Sequence, residues 1–120
     1  MESHEDPVHA AVAEVLRLCL RPGWIWWSTP SQGQRSHRQQ RRLKQQGMVA
    51  GISDIILISP EGVLHALELK RERSTTGRAL GRLSPAQTAW LASLPPPCPR
   101  AVAHGVDEAL AVLRAWGAIG

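Results

Sequence analysis

Apolar residues recur at helical spacing over Val8, Ala11, Val12, Val15, Leu16 and Cys19, and this stripe predicts an amphipathic first helix. Asp6 can cap it, with Pro7 at its first position, and Arg21-Pro22-Gly23 ends it. Trp24 to Thr29 then reads as a short strand stopped by Pro30, with Trp24 and Trp26 on one face and Trp27 on the other. Residues 31–47 are polar and rich in Gln and Arg. A second apolar run, Ile55-Ile56-Leu57-Ile58, leads through a Pro60-Glu61-Gly62 turn into Val63–Lys70, which predicts a strand pair. Residues 71–82 are polar, with glycines at 77 and 81, and read as a loop. Ser84-Pro85-Ala86-Gln87 opens another helix, with Leu83, Trp90, Leu91 and Leu94 as its apolar contacts and Pro95-Pro96-Pro97 as its end. Arg100 to His104 predicts a last strand. A final helix begins at Asp107-Glu108 and carries Leu110, Val112, Leu113 and Trp116, with Gly117 near its end. The expected order is α-β-(polar or helical insert)-β-β-α-β-α within one domain, residues 1–120.

Composition narrows the picture. A chain of 120 residues with 43% hydrophobic content can bury a real core. Its net charge of +4 and isoelectric point near 10.0 suit a nucleic-acid partner without requiring one. Two cysteines make neither a disulfide framework nor a metal knuckle; Cys19 is expected as a buried thiol on the first helix. The acidic, polar start MESHEDPVHA is unlike a secretory signal, and no apolar run approaches a membrane span, so a soluble cytoplasmic protein is expected. There is no His/Cys metal cluster, phosphate-binding Gly-rich loop or G-x-S-x-G elbow.

The chemistry concentrates in the strand pair. Asp54 and Glu68 are acids in segments that otherwise read as core, and carboxylates are rarely buried unless paired, neutralised or bound to a metal. A three-residue loop over Pro60–Gly62, with Ser59 opposite Val63, predicts Asp54 directly opposite Glu68. Opposed residues in an antiparallel pair share a face and approach within roughly 5.5 Å. Lys70, two residues beyond Glu68, shares that face. A slip of one residue would break the arrangement. Two readings fit: a divalent-metal site for cutting phosphodiesters, or acids merely paired with Lys70 or nearby arginines on a solvated sheet.

Gly51-Ile52-Ser53-Asp54-Ile55-Ile56-Leu57, then Glu68-Leu69-Lys70, then Leu83-Ser84-Pro85-Ala86-Gln87-Thr88-Ala89-Trp90, resembles in order and spacing the VRR-NUC family of virus-type replication and repair nucleases, within the PD-(D/E)xK nuclease superfamily. The resemblance runs from the first helix to the final β-α unit. It departs at Ser53, where the family favours proline; that position is not a metal ligand. The resemblance implies an α/β fold, a restriction-endonuclease-like PD-(D/E)xK core with a central mixed sheet flanked by helices. It implies DNA cleavage with Mg2+ or Mn2+, activity on branched DNA such as four-way junctions, a homodimer, and the cytoplasm of a bacterial cell or phage-infected host. Asp54 matches the first acid, Glu68 the second, Lys70 the lysine and Gln87 the glutamine of the following helix; Glu14 looks like the acid on the first helix of many members.

These roles agree with the chemistry of the residues. Magnesium prefers oxygen ligands, and Asp54, Glu68 and the backbone carbonyl of Leu69 supply them. Lys70 would orient or help deprotonate a water, or offset charge on the phosphate. Glu14 also reads as an ordinary surface glutamate. Gln87 has two readings: the N3 partner of Ser84 in a capping box, or a group touching the water or phosphate. His9 reads as a surface histidine, and His65 alternates away from Glu68.

Basic residues cluster. Arg35, Arg38, Arg41, Arg42 and Lys44 share one Gln-rich segment, and Arg71, Arg73, Arg78 and Arg82 follow the second acid. Both sets suit phosphate contacts, the first also a solvated helix face. The three tryptophans at 24, 26 and 27 read chiefly as core, with one available for a dimer interface or for stacking on an unpaired base. The other functions considered are a nicking, flap or restriction-like nuclease, or a DNA-binding module whose cleavage needs a partner.

Overall fold

The computed structural model describes residues 6–29, 41–42, 45–46, 51–71 and 82–120. Helix α1 spans Asp6–Cys19, followed by strands β1 (Ile25–Ser28), β2 (Ile55–Ile58) and β3 (Leu64–Lys70), helix α2 (Pro85–Ser93), strand β4 (Arg100–His104) and helix α3 (Val106–Trp116). The four strands form one mixed sheet in the order β1-β2-β3-β4. The β1–β2 and β2–β3 pairs are antiparallel and β3–β4 is parallel, as the crossover through α2 requires. The expected α/β architecture and element order are those observed, with the insert between β1 and β2 falling mostly outside the described residues.

The register follows from the turn. Ser59 N–H donates to the Val63 carbonyl at 3.0 Å, and the pairs run from Ile58↔Leu64 to Ile55↔Leu67. Asp54 precedes Ile55 and Glu68 follows Leu67, so the acids sit across from one another at the ladder's end.

Alternation then divides the sheet into two faces. Leu67 and Leu69 of β3, Ile55 and Leu57 of β2 and Ala103 of β4 bury against Val8, Val12 and Leu16 of α1 and Ala109 and Leu113 of α3. Burial of each of these Val, Leu and Ile side chains contributes about 1.5–3 kcal/mol. His65 joins this face, its ring edge-on between Trp24 at 4.9 Å and Trp116 at 5.0 Å. Trp24 and Trp26 pack against the core as expected, whereas Trp27 on the opposite face is 44% exposed. Helix α3 ends where Gly117 adopts a left-handed φ of 80°, letting Ala118 N–H reach back to the Leu113 carbonyl at 2.9 Å.

One expectation fails. Cys19 is exposed, not buried. It falls in angular line with Val8, Val12 and Leu16, but it is the last residue of α1, and the next residue, Leu20, packs against the core instead. Among the described residues no helix is long and apolar enough to cross a membrane.

Candidate active site

The second face of β3 carries Ala66, Glu68 and Lys70, and helix α2 approaches it. Three local devices position the side chains there.

The first is the end of the β2–β3 ladder. Hydrogen-bonded pairs alternate along an antiparallel ladder, and Ser59/Val63 is one, so the series continues to Ser53/Leu69. The chain bends at Asp54 before that pair can close, and Ser53 gives its carbonyl to the Thr29 hydroxyl at 2.8 Å. The Asp54 carboxylate takes the vacated position: its Oδ2 accepts the Leu69 N–H at 2.8 Å. A strand residue turns its N–H and C=O toward the same edge, so the Leu69 carbonyl faces the Asp54 side as well.

The second is the start of α2. Ser84 caps the helix, its Oγ accepting Gln87 N–H at 3.1 Å, with Pro85 in the first turn. Gln87 Oε1 accepts Ser84 N–H at 2.8 Å and closes the capping box. That same amide reaches the sheet. Its Nε2 donates to Glu68 Oε2 at 2.9 Å, and its Oε1 also accepts from Lys70 Nζ at 3.1 Å. Two donors at one end and a carboxyl acceptor at the other fix which end of the amide is oxygen. The capping reading of Gln87 is thus the one observed, and the same amide also joins Glu68 and Lys70.

The third is Gly51, whose φ of +83° opens the segment leading to Asp54. A Cβ there would lie 2.4 Å from the Ala86 carbonyl and 2.7 Å from Gln87 N. Only glycine lets this backbone lie against the first turn of α2.

The electrostatics follow from confinement. Glu68 is 2% exposed and Lys70 6%. Burial pushes the Glu68 carboxyl up from 4.5 to about 8, with the neighbouring Asp54 charge and a side-chain hydrogen bond to Asp54 adding to the effect. Lys70, its Nζ 3.8 Å from Glu68 Oε2, opposes the rise without cancelling it. Two carboxyls, one deeply buried, thus share a place that cannot hold two uncompensated negative charges. A hard divalent cation fits such a donor set, with Asp54, Glu68 and the Leu69 carbonyl as oxygen donors. Among the described residues no cluster of three or more His, Cys, Asp and Glu side chains is present.

The remaining residues singled out in the sequence lie as follows. Asp54, Glu68, Lys70 and Gln87 come together. Glu14 does not join them: it is exposed on α1 and pairs with Arg17 at 3.1 Å. His9 bonds the Ser28 hydroxyl at 2.9 Å. Arg41 and Arg42 are exposed in a helical turn, Arg71 is half-buried directly after β3, and Arg82 is exposed just before α2. Arg35, Arg38, Lys44, Arg73 and Arg78 lie outside the described residues. Sequence reasoning passed over Thr29 and Gly51, which hold the Asp54 segment. Gly51 alone left a signal, a glycine immediately ahead of an acid-bearing strand.

An acid pair, one member deeply buried, thus stands beside a lysine at the ladder's end of a mixed α/β sheet. The fold is similar to that of a solved structure described as a "VRR_NUC domain protein", with a TM-score of 0.69 and 20% identity, covering 100% of this chain and 93% of that one. At that identity the likeness is one of fold. No protein-family model and no curated protein matches the sequence.

Proposed function

We propose that this chain is a VRR-NUC-type, divalent-metal-dependent DNA endonuclease that hydrolyses phosphodiester bonds, acts on branched DNA such as four-way junctions, and works as a homodimer in replication, recombination or repair. The observation that carries this reading is the convergence of Asp54, Glu68, Lys70 and Gln87 on one sheet face, in a fold shared with a VRR_NUC domain protein.

Asp54, Glu68 and the Leu69 carbonyl would hold Mg2+ or Mn2+. When bound, such an ion lowers the pKa of a water and offsets charge on the phosphate. Asp54 is locked by the Leu69 N–H, so its free oxygen is held ready without reorganisation. Lys70 keeps its ammonium beside the acids, from which it can donate to a phosphate oxygen or orient the attacking water. Gln87 holds Glu68 and Lys70 at a fixed separation and ties both to the cap of α2. Arg71 and Arg82 flank this site in sequence and suit contacts to the DNA backbone; Arg41, Arg42 and the basic residues near them suit a second contact.

The test is cleavage of a labelled panel of linear duplex, single strand, nick, flap, splayed arm and four-way junction with Mg2+, Mn2+ or EDTA. The expected result is paired symmetric cuts in the junction, lost in EDTA and in Asp54→Asn. Cuts confined to nicks, flaps or duplex would keep a nuclease and sink the junction reading. Binding without cleavage by the wild type would leave a partner-dependent DNA-binding module.

A further inference from the structure

Trp27 lies on the same sheet face as the acids, one row away. Register makes the rows explicit. Thr29 N–H donates to the Asp54 carbonyl at 2.9 Å, Trp27 pairs with Ile56 and Ile56 with Ala66, and Ile25 pairs with Ile58 and Ile58 with Leu64. Opposed residues share a face, and rows two residues apart are separated by about 6.8 Å. Three side chains of these rows stand open to solvent: Ile25 at 56%, Trp27 at 44% and Leu64 at 37%. Trp27, on the edge strand, is therefore one row from the Asp54–Glu68 row, while Ile56 and Ala66 of its own row are buried.

The size of the exposed apolar surface decides what could cover it. Even at ~250 Å² per side chain, the three exposed fractions offer no more than about 350 Å², below the roughly 450 Å² of apolar area within the ~800 Å² that each partner commonly brings to a stable protein interface. A flat ring is a better match. Tryptophan presents a face on which any base can stack, and aliphatic neighbours exclude water around it.

We infer that Trp27, with Ile25 beside it on the same face of β1, is a stacking platform for an unpaired base of the nucleic acid whose backbone meets the Asp54–Glu68–Lys70 site. This rests on the nuclease reading for the second half of that sentence only, because stacking can be measured without cleavage. It gives the protein a reason to prefer branch points, where bases come out of the stack, over continuous duplex.

The test is binding of a labelled single-stranded oligonucleotide, and of a blunt duplex of the same sequence, in EDTA. Trp27→Leu keeps an apolar side chain and removes the aromatic face; Trp27→Phe keeps a smaller aromatic face. Circular dichroism establishes that both are folded. The leucine variant is expected to lose roughly 5- to 150-fold in single-strand affinity and little in duplex affinity, with the phenylalanine variant between it and the wild type. Equal losses on both forms, or none on the single strand, would overturn the platform. A wild-type dimer that Trp27→Leu turns into a monomer, read by sedimentation with no DNA present, would overturn it in favour of a second copy of the chain. Retained stacking in a protein that cleaves nothing would sink the nuclease and keep the platform.

Discussion

Glu68 is where the residue scale matters most. A carboxyl held at about 8 keeps its proton in the folded, metal-free protein across a range in which the unfolded chain, near 4.5, has released it. Between those values the native state binds more protons than the unfolded state, so stability falls as pH rises; it is greatest below 4.5 as far as this group is concerned, and the loss is complete above about 8. Urea unfolding in EDTA should therefore show the wild type weaker at pH 8 than at pH 5.5, by an amount on the order of a few kcal/mol. Glu68→Gln should flatten that slope while abolishing cleavage; an unchanged slope would remove Glu68 as its source. Gly51→Ala should cost more than ~1 kcal/mol, since it combines a left-handed φ with a collision against α2, and the same unfolding experiment reads it. That Asp54 and Glu68 lie together was legible because acids in apolar segments violate burial rules, and that Lys70 joins them because it shares the face of Glu68 two residues on. The sequence hid Cys19, because helical phase lapses where α1 ends and the core contact passes to Leu20.

The elements explain why Gln87 resisted a single assignment. A capping box and a contact to the site both ask for glutamine at this place, and a one-dimensional reading weighs them as rivals. Only the packing of α2 onto β3 shows that Oε1 can serve the Ser84 N–H and the Lys70 ammonium together. The β2–β3 register, by contrast, was legible in advance, because a three-residue turn and period-two alternation leave one pairing that buries Ile55, Leu57, Leu67 and Leu69 together. The far end of α2 is tied down by Arg100, whose guanidinium donates to the carbonyls of Leu91 and Leu94. Two substitutions separate the helix cap from the site. Ser84→Ala should lose about 0.5–2 kcal/mol of stability and keep most of its cleavage rate. Gln87→Ala keeps the backbone N–H on Ser84 Oγ, loses only the side-chain half of the capping box, and frees Lys70 and Glu68 from their common partner, so kcat should fall by a larger factor than the stability change accounts for. Equal kcat values for the two folded variants would reduce Gln87 to a capping residue.

At the scale of the molecule, α1 and α3 close one face of the sheet and leave the other to α2 and the candidate site. Among the described residues one chain thus presents one candidate centre. A four-way junction requires two cuts, and a two-fold pair of chains matches its symmetry with two equivalent centres. The proposed homodimer therefore predicts how the sites share the work. Wild-type protein mixed with excess Asp54→Asn would form mainly mixed dimers with a single competent centre. On a supercoiled plasmid bearing an extruded cruciform, wild type alone should give linear product, because both strands are cut within the lifetime of one complex. The mixture should give nicked circles instead, because one cut relaxes the plasmid and the cruciform is lost before a second enzyme arrives. If the mutant only dilutes activity and leaves the ratio of linear to nicked product unchanged, each chain acts alone and the dimer falls, while the acid pair and its chemistry stand.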